Sequence, residues 1–321
     1  MKLFFAFLKL IRWNNLFIIS LTQYLFFFCL SHSIILPTSI FSISQIAALK
    51  NSTYLIMTSS VLISAGGFII NDYFDVHIDS INKPGKNIID KIVKRRWAIV
   101  WHLLFSFTGL LISGYVSLLY HNWWLIVGNT FSVMLLWLYS TTFKKKLLIG
   151  NIIIAALSSW VIVVMYLFML SPINMIHLFD VPGFQIKAKI LLKWTILYSG
   201  FAFIVTIIRE VVKDMEDRIG DATFNCETIP IKWGVAASKI FIGVWIFFCI
   251  ALLMIAQIFI WQNGWHISAI YSSIFILIPL LFSFSKLYNC KTTEDYHQLS
   301  TLMKLIMLAG ILSMIFFNFL P

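Results

Sequence analysis

Charge is the scarcest property of this chain: only 12% of its 321 residues are Asp, Glu, Lys or Arg. A soluble globular domain carries about twice that share. Cysteine is nearly absent as well. The four present (Cys29, Cys226, Cys249 and Cys290) show neither disulfide-framework nor metal-ligand spacing. These shortages exclude a soluble enzyme, a disordered chain and a zinc module. They also exclude a nucleic-acid partner despite the net charge of +11, because a basic excess in an apolar chain reports loop orientation. What is abundant is apolar surface. Hydrophobic residues make up 60% of the chain, aromatics 17%, with 30 Phe and 12 Trp, and the mean hydropathy is +0.91. The fold class is therefore all-α: a polytopic membrane protein whose partner is the lipid bilayer.

A hydrocarbon core about 30 Å thick takes roughly 20 apolar residues per helix. One span runs from Trp13 to near Ile35, ahead of Pro37. Eight more are expected at about Ser52–Ile70, Ala98–Leu119, Asn122–Tyr139, Leu147–Leu170, Ile190–Ile208, Ile240–Ile260, Ile267–Phe284 and Lys304–Leu320. This makes a nine-helix bundle forming a single integral-membrane domain over residues 1–321. The first dozen residues, with Lys2, Lys9 and Arg12 among Phe and Leu, read as a retained amphipathic lead-in at the interface. Of the 24 Lys and Arg, twenty fall on the side of the N-terminus and four (Lys50, Lys187, Lys189, Lys193) on the other. The N-terminus is expected to face the cytoplasm, in a cell (inner) membrane.

The 13 acids divide the same way. Only Asp180 falls on the outer side, and six of the others form two arrays at the ends of the second and sixth spans. The first runs from Asn71 and Asp72 through Asp75 to Asp79, the second from Lys213 and Asp214 through Asp217 to Asp221. In both, aspartates stand at i, i+3 and i+7, one face of a helix over two turns. Carboxylates stacked this way repel one another and persist where cations neutralise them. Mg²⁺ takes oxygen ligands and commonly binds one or two carboxylates together with substrate phosphate. A solvated acidic loop explains one such array, but not the same spacing twice at equivalent ends. The metal candidates are Asn71, Asp72, Asp75, Asp79, Asp214, Asp217 and Asp221.

Bases flank both arrays: Lys83 and Lys86 after the first, Arg209, Lys213 and Arg218 around the second, and Lys144, Lys145 and Lys146 after the fourth span. Arg209 and Lys213, one turn apart, are candidate phosphate clamps. Carboxylates for metal, bases for phosphate and lipid-facing helices for an apolar tail describe a site for a polyprenyl diphosphate.

At these residues the sequence resembles the UbiA superfamily of intramembrane prenyltransferases. Asn71, Asp72, Asp75 and Asp79 match that family's first array, and Asp214, Asp217, Gly220 and Asp221 its second. A Tyr-Ser, basic, Gly-Asn feature appears as Tyr139, Ser140, Lys144, Gly150 and Asn151. The run from Lys213 to Asp221 followed by Thr228-Ile229-Pro230 is most similar to the branch holding digeranylgeranylglyceryl phosphate synthase and chlorophyll synthase. That branch carries N-R-P-x-R-P-I-P-S-G after its first array. Here Lys83 and Lys86 replace both arginines, and no proline follows Pro84 in the run to Lys91. An ammonium keeps the charge but not the bidentate geometry.

The resemblance implies Mg²⁺-dependent transfer of a polyprenyl group, geranylgeranyl in the named branch, to a lipophilic acceptor. A glycerol-phosphate-based lipid alcohol is favoured and an aromatic quinone precursor is the alternative. Asp72, Asp75, Asp214 and Asp217 are the catalytic candidates, with Tyr139 offering a ring face to an allylic cation. Asp217 or Asp221 is also a candidate to take the acceptor's proton. Asn71, Lys83, Lys86, Lys144, Asn151, Arg209 and Lys213 are the substrate-binding candidates. The rival class, an ion-coupled transporter, calls for carboxylates near the bilayer midplane, where this sequence has none.

Overall fold

The computed structural model describes residues 2–35, 42–82, 88–175 and 184–319. Lys83, Lys86 and the expected span terminus at Leu320 lie outside them. Among the described residues nine helices are long and apolar enough to cross a membrane, and none forms a β-strand apart from one Ile89–Val93 bridge. After a short α1 (Lys2–Leu10) come α2 (Trp13–Ile34), α3 (Ile43–Asn82), α4 (Arg95–Leu119), α5 (Trp123–Thr141), α6 (Ile149–Met175) and α7 (Phe184–Glu216). The short α8 (Arg218–Thr223) and α9 (Ile229–Lys232) lead to α10 (Gly234–Gln262), α11 (His266–Asn289) and α12 (Thr293–Phe319).

Several helices outrun the apolar windows that foretell them. α3 has 40 residues, about 60 Å at 1.5 Å per residue and twice the hydrocarbon thickness. Hydropathy marks only the part of a helix that must sit in lipid. Hydrogen bonding carries the helix on until a breaker, and Pro84 stands two residues past its end. α12 likewise begins well before Lys304, where Thr292 and Asp295 form a reciprocal capping box.

The chain divides into two compact units, residues 1–142 with 160–196, and residues 143–159 with 197–321. In the first, α3 packs against α2, α4 and α5. The pattern on α4 is inverted relative to a soluble helix. His102, Ser106, Gly109 and Ser113 are buried, while Leu103, Phe107 and Leu111 are more than half exposed. Lipid is as apolar as leucine, so membrane helices associate through small residues and interhelical hydrogen bonds. Ser59 Oγ accordingly donates to Gly109 O at 2.7 Å, and His102 Nδ1 lies 2.9 Å from Gly66 O. A Cβ on Gly66 would sit 2.7 Å from Ser106 Oγ, so this glycine permits the approach of α4. Further polar ties are Gln23 Nε2 to Ser60 Oγ (2.9 Å), Asn129 Nδ2 to Ser113 Oγ (2.9 Å) and Trp160 Nε1 to Asn129 Oδ1 (2.9 Å).

The amphipathic lead-in is the helix α1. It presents Leu3, Phe4 and Phe5 outward and buries Ala6 and Leu10 against Ile69, Ile88, Ile89, Val93 and Ala98. In the second unit, Val205, Ile208, Val211 and Val212 of α7 pack with Ile242 and Ile246 of α10, Leu280 and Leu287 of α11, and Leu299 and Met303 of α12. All four cysteines are buried, and none is joined in a disulfide.

Candidate functional site

The first array lies wholly on the last turns of α3, so the expected single face is realised. Asp75 is buried at 4% exposure, Asp72 and Asp79 are partly buried, and His77, off that face, is exposed. Asn71 Nδ2 donates to Asp75 Oδ2 at 2.7 Å, one turn apart. The amide thereby orients the carboxylate, while its own Oδ1 is buried with no hydrogen-bond partner. A buried carbonyl oxygen left unpaired costs about 1–3 kcal/mol, and beside Asp75 it is an oxygen donor that a hard cation can use.

Asp72 turns to a residue outside the candidate set. Arg12 Nη2 donates to Asp72 Oδ1 at 2.6 Å, from a turn where Arg12 adopts φ 51°, ψ 54°. Its guanidinium also lies 5.2 Å from the Phe68 ring centroid. Burial alone would lower the pKa of Arg12, but Asp72 outweighs it, with Asp75 and Tyr139 adding to the rise. This one cation therefore gathers Asp72, Asp75 and Tyr139 into a single electrostatic neighbourhood. Arg12 was legible only as a topology charge; nothing in its local sequence says that it reaches 60 residues along the chain.

The second array departs from expectation. α7 ends at Glu216, and Asp217 (φ −88°, ψ 5°) is the N-cap of α8. Asp214, Asp217 and Asp221 therefore do not lie on one straight helix. The bend is mild, since Asp217 N still bonds Lys213 O (2.8 Å) and Asp221 N bonds Asp217 O (3.1 Å). Aspartate is a poor helix-interior residue, though at Asp217 the side chain makes no capping hydrogen bond. Asp221 is buried, and Asp214 Oδ2 accepts from Asn151 Nδ2 at 2.8 Å. Asn151 thus binds the array itself.

Arg209 and Lys213 do converge, but on a carboxylate absent from the candidate set. Glu210, 9% exposed, accepts from Arg209 Nη1 at 2.8 Å and from Lys213 Nζ at 3.2 Å. The i,i+3 spacing to Lys213 is the one part of this arrangement that the sequence carries; the contact with Arg209, its chain neighbour, is not. Glu216 Oε1 pairs with His297 Nδ1 at 2.9 Å. Lys144 lies in the 3₁₀ turn Phe143–Lys145 that follows α5.

Among the described residues no three His, Cys, Asp or Glu side chains form a ready-made metal cage. The donors are nonetheless of one kind. Carboxylate and carboxamide oxygens, with the unsatisfied Asn71 Oδ1 beside Asp75, suit a hard divalent ion that completes its shell with water and phosphate oxygens.

A digeranylgeranylglyceryl phosphate synthase from Methanoregula boonei is 27% identical over 259 residues, covering 80% of this chain and 83% of that one. A namesake from Methanosarcina mazei is 35% identical over 175 residues, 54% of this chain and 52% of the relative. A solved structure of a digeranylgeranylglyceryl phosphate synthase superposes with a TM-score of 0.59 at 22% identity, over 98% of this chain and 99% of the other. A UbiA homolog from Archaeoglobus fulgidus bound to DMAPP and Mg²⁺ superposes with a TM-score of 0.58 at 14% identity, over 96% and 99%. Residues 24–308 match the UbiA prenyltransferase family, and the chain belongs to it.

Proposed function

We propose that this chain transfers a geranylgeranyl group from its diphosphate to a glycerol-phosphate-based lipid alcohol, in a Mg²⁺-dependent reaction carried by the whole of residues 1–321 acting as one catalytic domain. The observation that carries the reading is the Asn71–Asp75 pair: a buried carboxylate held by an amide whose own oxygen has no partner. Digeranylgeranylglyceryl phosphate synthases among the relatives favour the lipid acceptor.

Bound at the aspartates, Mg²⁺ supplies Lewis-acid stabilisation of the diphosphate as it departs. The remaining work belongs to the chain. Asn71 fixes Asp75, and Asn151 fixes Asp214, so each array offers an oriented carboxylate without reorganisation. Arg12 keeps its charge beside Asp72 and adds a cation where negative charge gathers. Glu210 holds the heads of Arg209 and Lys213 in place beside the second array. Tyr139, in the Arg12 neighbourhood, supplies a ring face for the allylic cation. The twenty-to-four division of Lys and Arg supports a cytoplasmic N-terminus and cytoplasmic arrays in the cell membrane.

The test uses the full chain in liposomes with radiolabelled geranylgeranyl diphosphate, Mg²⁺ or EDTA, and a panel of glycerol-phosphate and aromatic acceptors. Labelled glycerol-phosphate lipid is expected with Mg²⁺ and not with EDTA, and Asp75→Ala and Asp217→Ala are each expected to abolish it. Normal turnover by either variant overturns the site. Label found only in aromatic products overturns the acceptor.

A further inference from the structure

A cavity of about 280 Å³ opens in the second unit beside the end of α7, lined among others by Glu216, Arg218, Lys239, Cys290, Lys291 and Tyr296. None of these is an aspartate of the arrays, and only Glu216 and Arg218, on either side of Asp217, share the second array's stretch of chain. The acids around it are already committed: Glu216 to His297 at 2.9 Å, and Asp295, nearby, to the backbone N–H groups of Lys291 and Thr292, both at 2.9 Å. Lys239 Nζ donates to Cys290 O at 2.6 Å and Tyr288 O at 3.0 Å, which fixes one positive charge at the rim. Arg218 and Lys291 are exposed, and their heads make no hydrogen bond or ion pair among the described residues. Three cationic side chains, Arg218, Lys239 and Lys291, thus line a small cavity with one lining carboxylate, Glu216, which is hydrogen-bonded to His297.

The surroundings say what kind of anion fits. Ile219 on the lining is 63% exposed. From Lys239 an exposed apolar row of Ile240, Val244 and Phe247 runs along one face of α10. The cavity is just below the range of about 300–1,000 Å³ that encloses a drug-sized ligand, room for a head group with its tail left outside. Guanidinium and ammonium groups recognise phosphate, and basic pockets between membrane helices take lipid head groups. We propose that this cavity binds the phosphate of an amphiphile, with Arg218 and Lys291 as its ligands, Lys239 as the fixed charge, and the Ile240–Val244–Phe247 row beside its tail. The site stands on these residues whatever group the aspartate arrays transfer.

The full chain in a nonionic detergent, with EDTA and no prenyl diphosphate, is titrated with three amphiphiles: 1-oleoyl-glycerol-3-phosphate, phosphatidylglycerol and phosphate-free monoolein. Saturable binding of a phosphate-bearing amphiphile is expected. Arg218→Gln/Lys291→Gln should weaken it about tenfold or more, the loss of two charge-assisted contacts. Both side chains are exposed, so the melting temperature should not move. Tighter binding of the phosphomonoester than of phosphatidylglycerol identifies a free single-chain phosphate as the occupant; the reverse order identifies a bilayer lipid. Equal binding by wild type and double variant, or equal binding of monoolein, overturns the site.

Discussion

The contact between Arg12 and Asp72 makes a quantitative prediction about metal demand. The ion pair measures 2.6 Å with side chains 36% and 23% exposed, so solvent screening limits it to about 0.2–1 kcal/mol. The guanidinium over Phe68 adds about 0.5 kcal/mol at a partly exposed site. The ion pair alone, at most about 1 kcal/mol, ties Asp72 to Arg12, and a metal drawing on Asp72 must compete with it. Arg12→Gln should lower the Mg²⁺ concentration giving half-maximal turnover by up to about fivefold, the equivalent of 1 kcal/mol. Arg12→Lys, which keeps the charge, should stay near the wild-type midpoint. The assay is prenyl transfer in liposomes against buffered free Mg²⁺, with the diphosphate saturating. A double-mutant cycle of Arg12→Gln and Asp72→Asn on thermal stability should give a coupling of about 1 kcal/mol. A Mg²⁺ midpoint for Arg12→Gln equal to or above the wild type's would refute the competition.

Asn151→Leu removes the donor at 2.8 Å from Asp214 Oδ2. Losing a charge-assisted bond worth about 1.5–3 kcal/mol predicts a lower melting temperature in detergent, together with reduced turnover in the same transfer assay. Glu210→Gln leaves Arg209 and Lys213 facing a neutral amide instead of a carboxylate, and thermal unfolding in detergent should show a loss of about 1–3 kcal/mol. At Gly128 an added Cβ would run into the Trp160 ring, which its hydrogen bond to Asn129 holds in place. Gly128→Ala should therefore cost about 1–3 kcal/mol of overpacking, seen as a lower melting temperature.

The nine spans were legible because the bilayer imposes a rule that can be read residue by residue: no charge through about 20 positions. The first array was legible because a helical period decides which side chains share a face. The break at Asp217 was not, because a mild bend that keeps its backbone hydrogen bonds leaves no mark in the spacing of the aspartates. Glu210 and Arg12 escaped for a related reason. Charges near helix ends all look like topology signals in a sequence, and only packing shows that Arg12 meets Asp72 and that Glu210 is gripped from both sides. Asn151 could be found as a site residue, but not its target.

The burial of all four sulfurs turns the native protein into a silent background for chemical mapping. Shielded thiols react slowly, and burial pushes the Cys290 thiol, which lies outside the spans, further up. One reporter cysteine can then be read by itself, with no cysteine-free parent to build first. Ser80 and Asn263 are both exposed and fall on opposite faces of the proposed topology. An impermeant maleimide added to intact cells should tag Asn263→Cys and spare Ser80→Cys until the membrane is opened; the opposite pattern would invert the molecule.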